Sequence, residues 1–283
     1  MSLLKDSRVM SESELKKLLE EKDGDVNSWS YVDNDALVRS MVAHIGSIDS
    51  ELRDQLIYSS FYRFIIEENR LKHELLKELL DCCMNELLMK GIGENGTDTV
   101  FTRSFTTLLV ALILYRDNQD SLLEAEKVKE VKEKLLHYMN HEVDLRGFVP
   151  NKGWAHSIAH VADTFDQLVK STKLEKETYP EILNALWNKV LVSNSIYIHD
   201  EDERLLVPIL NMLHNGLDEK GISTLLKELP LRLRMEKEQL REENYWFLVC
   251  NCKSFLKSFY VILGEKNQFL QLQESVRLCI NKI

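Results

Sequence analysis

Proline and glycine are scarce in this chain: 4 and 10 of 283 residues. Long stretches are therefore free of helix breakers, which points to an all-helical fold. Cysteine is also sparse. Cys82, Cys83, Cys250, Cys252 and Cys279 are odd in number and lack framework spacing, which argues against a disulfide scaffold. Cys250 and Cys252, two apart in an apolar helical run, point to different sides of a helix, so buried reduced thiols are the plain reading. The longest apolar run, Leu108 to Tyr115, falls far short of the ~20 residues that span a bilayer. The N-terminus has no apolar region of signal-peptide length. The expectation is a cytoplasmic protein without a membrane partner.

A basic surface is missing too. The formal net charge is -10, and no Lys/Arg block is free of interleaved acids. The nearest, Arg232, Arg234, Lys237 and Arg241, is diluted by Glu236 and Glu238 and reads as a solvated helix face. Nucleic acid is not an expected partner, because displacing its counterions takes a basic face. Nucleophile-elbow, kinase and dinucleotide-fold signatures are all absent.

The apolar periodicity that remains predicts about twelve helices and no strand. Ser11 and Glu14 form a capping-box pattern ahead of Leu15, Leu18 and Leu19. The polar turn Asp23-Gly-Asp-Val-Asn closes that helix. Further helices are expected over Asp33–Ile45 (closed by Gly46 as a C-cap), Ser50–Glu68, Leu71–Lys90, Val100–Tyr115 (capped by Asp98), Leu122–Asn140 and Trp154–Ser171. Tyr179–Leu191, Asp200–Leu213, Asp218–Arg241, Glu242–Leu263 and Asn267–Asn281 complete the set. Helix starts near Asp49, Asp98, Lys152, Asp200 and Glu242 recur at intervals of roughly 40 to 55 residues, the size of a HEAT or armadillo hairpin. The expected fold is one all-helical domain over 1–283, with an N-terminal helix and polar turn in 1–30 and a helical-hairpin array in 31–283. A right-handed α–α superhelix is the first choice; an irregular helical bundle or α/α-toroid stands behind it.

Residue types suited to chemistry converge in one stretch, Asp144 to Asp163. His156, His160 and Asp163 stand at i, i+4 and i+7, which places them on one face of a helix. Two imidazoles and a carboxylate suit zinc, or iron in a facial arrangement. Ser157 follows His156, so the H-E-x-x-H metalloprotease motif is absent. His73, His199 and Glu201 are candidates for a distant fourth ligand. The plain alternative is a pair of packed, hydrogen-bonded histidines. Arg146 and Lys152 lie in the loop that enters this helix. A helix N-terminus favours anions, and the two cations suit a phosphate or carboxylate; the alternative pairs Arg146 with Asp144 or Glu142 and leaves Trp154 as a packing anchor. The acidic run Asp200 to Glu203 is explained by the helix dipole. One of its members, Glu201 or Glu203, is still a candidate inward carboxylate, and Arg204, three residues after Glu201, is placed to hold it. Arg103 and the Arg53–Asp54 pair are expected to form inter-helix ion pairs.

Five segments together resemble a known family: Ile45–Tyr58, Val100–Leu108, Asp144–Val149, Gly153–Asp163 and Glu201–Leu205, from about residue 30 to past residue 210. The R-G-F…G-W-A-H-x-x-A-H-x-A-D segment carries most of the likeness. It is similar to an uncharacterised bacterial family catalogued as domain of unknown function number 2785. The resemblance implies a bacterial, mostly helical protein and carries no established activity.

Two functional classes follow. One is a helical scaffold that binds a peptide, a protein partner or a small anionic ligand on a concave face around residues 144–163, using Arg146, Lys152, Trp154, Glu201 and Arg204. The other is a metal-dependent or histidine-based hydrolase that uses His156, His160 and Asp163, with zinc as the candidate metal.

Overall fold

The computed structural model describes residues 8–22, 34–266 and 268–283. The polar turn expected at Asp23–Asn27 and the helix start expected at Asp33 lie outside them. Among the described residues the regular structure is helical apart from one two-stranded hairpin. It packs into two compact units, Met1–Ser171 and Thr172–Ile283.

The first unit opens with α1 (Glu12–Lys22) and α2 (Asn34–Ala43). The capping box forms as expected: the Ser11 N–H donates to Glu14 Oε2 at 2.9 Å and the Glu14 N–H to Ser11 Oγ at 3.3 Å. Next comes a continuous helical stretch in which α3 (Ser59–Tyr62) is flanked by π-helical segments, Glu51–Tyr58 and Arg63–Glu67. Helix α4 (His73–Cys82) runs into a third, Cys83–Leu87, closed by an i+5 bond from the Leu88 N–H to Cys83 O. Then follow α5 (Thr99–Asp120), α6 (Ala125–His141), the strands β1 (Phe148–Val149) and β2 (Gly153–Trp154), and α7 (Ser157–Val169).

Helix α5 is the centre of this unit. Every residue from Val100 to Leu114 is buried, and α4, α3 and α7 all pack on it. A helix enclosed on all sides must satisfy its polar side chains locally. Thr106 Oγ1 donates to Thr102 O and Thr107 Oγ1 to Ser104 O, both at 2.6 Å. Helix α7 lies closest: Ala159 and Ala162 are fully buried, and Thr164 Oγ1 reaches across to Thr107 O at 2.7 Å.

Two expected caps are corrected. Gly46 has no left-handed backbone; it is small because helix α5 presses on it. A Cβ there would stand 2.7 Å from the Thr102 Cα. Asp98 does not cap α5 through its side chain; its carboxylate takes Lys152 Nζ instead, at 2.6 and 2.7 Å.

The second unit holds a short 3₁₀ turn (Lys176–Thr178), then α8 (Tyr179–Val190), α9 (Glu201–His214), α10 (Glu219–Gln239), α11 (Glu242–Lys266) and α12 (Leu270–Ile280). Its core includes Leu186, Leu206, Phe259 and Phe255, the last meeting Trp187 edge-on at 5.8 Å. Asn251, buried on α11, ties down the segment before α9. Its Oδ1 accepts from the Tyr197 N–H, and its Nδ2 donates to Val192 O and Ser195 O. Among the described residues, two helices are long and apolar enough to cross a membrane by length and composition. They are Thr99–Asp120, 83% buried within its window, and Glu242–Glu265, 44% buried. The first is the core helix of its unit.

Candidate functional site

The expected loop from Asp144 to Gly153 is in fact a β-hairpin. Phe148 pairs with Trp154 and Val149 with Gly153. The Lys152 N–H closes a turn on Val149 O at 3.0 Å. Pro150 sits at the second position and Asn151, with φ of 64°, at the third, the pattern of a type II turn. Strands this short escape a periodicity reading, which is why the sequence shows a loop there.

A buried arginine holds the hairpin down. Arg53 is fully buried. It donates to Ser47 O at 2.6 Å and to Lys152 O at 2.7 Å, and pairs with Asp54 at 2.7 Å. Its guanidinium lies over the rings of Phe101 and Phe105, 4.3 and 4.8 Å from their centroids. Burial pushes the Asp54 carboxyl above its ordinary pKa, against the pull of Arg53 and of the Trp154 N–H that it accepts. Gly153, with φ of 77°, fits because it lacks a Cβ; one there would stand 2.7 Å from the Ser50 Cβ.

The two candidate anion-binding cations are committed to the protein. Arg146 forks onto Asp144 (Nε–Oδ1 2.8 Å, Nη2–Oδ2 2.6 Å) and reaches Thr97 O. Lys152 holds Asp98. Asp144, fully buried, also accepts the Gly96 N–H at 3.0 Å, and its backbone carbonyl takes Ser157 Oγ. The pairing alternative for Arg146 is the observed one. The other expected arginine pair also forms: Arg103 on α5 meets Glu142 at the end of α6, with both residues at 0% exposure.

His156 precedes α7 as its N-cap residue, in left-handed backbone with φ of 44°. The i, i+4 spacing therefore does not act through a continuous helix; His160 and Asp163 alone lie inside α7. The two imidazoles still meet, edge to face, at 5.6 Å between centroids. They belong to a chain of rings that begins at the surface. Phe148 meets Trp154 at 5.1 Å, and Trp154 lies over His156 at 4.3 Å. His160 meets Phe105 at 5.1 Å, and Phe105 meets Tyr58 at 6.5 Å. His73, at the start of α4, pairs with Asp120 at 3.4 Å.

The chain of rings leads to a cleft. A cavity of about 310 Å³ is lined by Tyr58, Tyr62, Tyr115, Leu112, Asp163 and Asp166, among others. Asp163, the third member of the sequence triad, belongs to this cleft wall. Sequence reasoning missed the tyrosines and Asp166. Two signals for them were present: Tyr58, Tyr62 and Ile66 recur every four residues, and Asp163 and Asp166 are three apart on one helix.

Glu201 and Arg204 belong to the second unit. Glu201 begins α9 after Asp200, whose φ is 63°, and is only 2% exposed. It is thus more than a helix-start charge, whereas Glu203, the other candidate inward carboxylate, is exposed. Glu201 Oε2 accepts the His199 N–H at 2.9 Å. Burial pushes its carboxyl above the ordinary value, opposed by backbone N–H groups and His199. Arg204 follows one turn on, its own N–H bonded to Asp200 O at 3.0 Å.

A family model described as "Protein of unknown function (DUF2785)" matches residues 88–261, more than half of the chain, and the chain belongs to that family. The match covers the hairpin, α7 and the Glu201 segment; Ile45–Tyr58 lies outside it. No curated protein and no solved structure matches the chain.

Proposed function

We propose that this is a binding protein rather than an enzyme, and that it takes a small ligand in the cleft beside α7. The carrying observation is the cleft itself. Its volume of about 310 Å³ lies at the lower end of the ~300–1,000 Å³ range of small-molecule sites, and it combines an apolar wall with a few polar groups. The anionic-ligand version loses support because Arg146 and Lys152 are already paired with Asp144 and Asp98. A peptide or protein partner draws support from Phe148 and Trp154, which are 50% and 38% exposed on the clamped hairpin. For the fold, the enclosed α5 supports an irregular bundle ahead of a HEAT- or armadillo-type superhelix, in which each repeat contacts only its neighbours. The cytoplasm fits five unpaired thiols.

The test is a thermal-shift screen of small molecules on the wild type and on Tyr62→Ala, whose ring is 43% exposed. Compounds that raise the melting temperature of the wild type but not of the variant support the reading. No stabilising compound, or equal stabilisation of both proteins, overturns it.

A further inference from the structure

We propose that the last turn of α6 binds a late first-row divalent metal ion of the zinc and nickel type, chelated by His137 and His141. The site is separate from the cleft: neither histidine lines that cavity.

His137 and His141 are four residues apart at the end of α6, so both side chains project from one face of the helix. Helical zinc sites present two imidazoles at this spacing. Both residues are exposed. Their rings lie together, 4.1 Å between centroids with a tilt of 32°. The Nδ1 of His141 stands 2.8 Å from His137 O. A carbonyl oxygen only accepts, so Nδ1 carries the proton and, in the neutral ring, Nε2 keeps its lone pair. Metal-binding histidines are commonly oriented this way, one nitrogen donating to a carbonyl or carboxylate and the other left for the ion. Apart from that bond and the contact between the two rings, neither imidazole has a partner among the described residues.

The surroundings favour a cation. Glu133 lies one turn further back on the same face, exposed and without an ion pair among the described residues. Lys134, three residues before His137, is drawn away to Asn85 and Glu130. The pair sits where the helix macrodipole and the last backbone carbonyls are negative. A shared ion needs the rings to turn from stacked to splayed. Both are exposed, so that turn between side-chain rotamers meets little packing.

The donor set selects the metal. Imidazole nitrogen suits zinc, nickel and copper, whereas calcium and magnesium take oxygen ligands. Carrying both rings on one helical turn makes the second metal bond intramolecular, which lifts the pair above a lone surface histidine.

The experiment titrates the full chain with zinc, nickel, calcium and magnesium, each alone, by calorimetry. The wild type is expected to bind zinc and nickel one to one, and calcium and magnesium not measurably. His137→Ala and His141→Ala should each weaken nickel and zinc at least ~tenfold and to a similar degree, because a single remaining imidazole cannot chelate. Nickel should also raise the melting temperature of the wild type and not of either variant, since the two rings converge only while α6 is folded. In nitrogen-labelled histidine spectra of the wild type, zinc should move a ring nitrogen of His137 together with Nε2 of His141. That measurement needs no variant, and circular dichroism shows whether each variant keeps its helices. Zinc or nickel bound with unchanged affinity in both variants lies elsewhere on the chain and overturns the proposal. So does the absence of binding, equal binding of calcium, or a spectrum in which only one of the two rings responds.

Discussion

Arg103 and Glu142 form a two-pronged ion pair, Nε to Oε2 at 2.7 Å and Nη2 to Oε1 at 3.0 Å, and neither residue is reached by solvent. The remaining guanidinium nitrogen, Nη1, donates to Lys90 O, Gly91 O and Thr99 Oγ1. One side chain thus ties the start of α5 to the end of α6 and to the loop after α4. The geometry is bidentate and suits arginine where lysine would not serve.

Breaking that pair from one side leaves a buried charge without its counter-ion. Glu142→Gln and Arg103→Met are each expected to cost about 3–5 kcal/mol in denaturant unfolding. The double variant should cost less than the sum of the two. A double-mutant cycle showing plain additivity would mean that the pair does not act as a unit.

Gly153→Ala should destabilise by about 1–3 kcal/mol, through strain at a φ of 77° and the approach of the new Cβ to the Ser50 Cβ. Ser50→Gly removes the nearest atom it meets and leaves Arg53 Nη2 at 3.1 Å and Asp54 Oδ2 at 3.3 Å, so the double variant should recover much of the steric part but none of the backbone part. Recovery to full stability, or none at all, would show that only one of the two causes operates. Gly93→Ala, with a φ of 85° and open space around it, supplies the comparison for strain alone, about 1 kcal/mol.

Glu201 makes stability fall as pH rises. Burial raises its folded-state pKa above the ordinary value of 4.5, so the folded protein holds this proton more tightly than the unfolded chain does. Its favourable contribution is fully present below the unfolded value and is lost as pH climbs through the folded value. Glu201→Gln, neutral throughout, should therefore gain melting temperature relative to wild type as pH increases from 4 to 7. A difference that stays flat across that range, measured by scanning fluorimetry, would rule out Glu201 as the titrating group.

The hydrolase alternative makes its own demand, that His156, His160 and Asp163 act together on a metal. The binding reading expects His156→Ala/His160→Ala to lower stability by about 1–3 kcal/mol, through lost ring contacts with Trp154 and Phe105, with no change in metal content. Stoichiometric zinc or iron in the wild type that disappears in the double variant would reverse the preference between the two readings.

Helix positions were largely legible in the sequence. Tyr179–Leu191, for example, was expected, and Tyr179–Val190 is observed, because apolar period and scarce breakers act locally. The hairpin was not legible: its strands are two residues each, too short to show alternation. The site was legible in part. The Asp144–Asp163 stretch was recognisable by its residue types, and Trp154, His156 and His160 do meet. What each of them touches depended on partners distant in sequence, such as Arg53 under the hairpin and Tyr58 and Tyr115 across from Asp163.

By itself, the sequence determined the helical class, the capping box at Ser11 and Glu14, the family, and the stretch where polar chemistry collects. All of these follow from short-range spacing and residue type. Tertiary structure alone decided that α5 is enclosed on every side and that Arg146 and Lys152 are spent on Asp144 and Asp98. It also decided that Asp163 lines a tyrosine cleft, and that Gly46 and Gly153 are glycines because of what presses on them. The physical reason is that burial and charge pairing are properties of surfaces brought together by folding. A periodicity shows which face of a helix is apolar, but not which other face it meets.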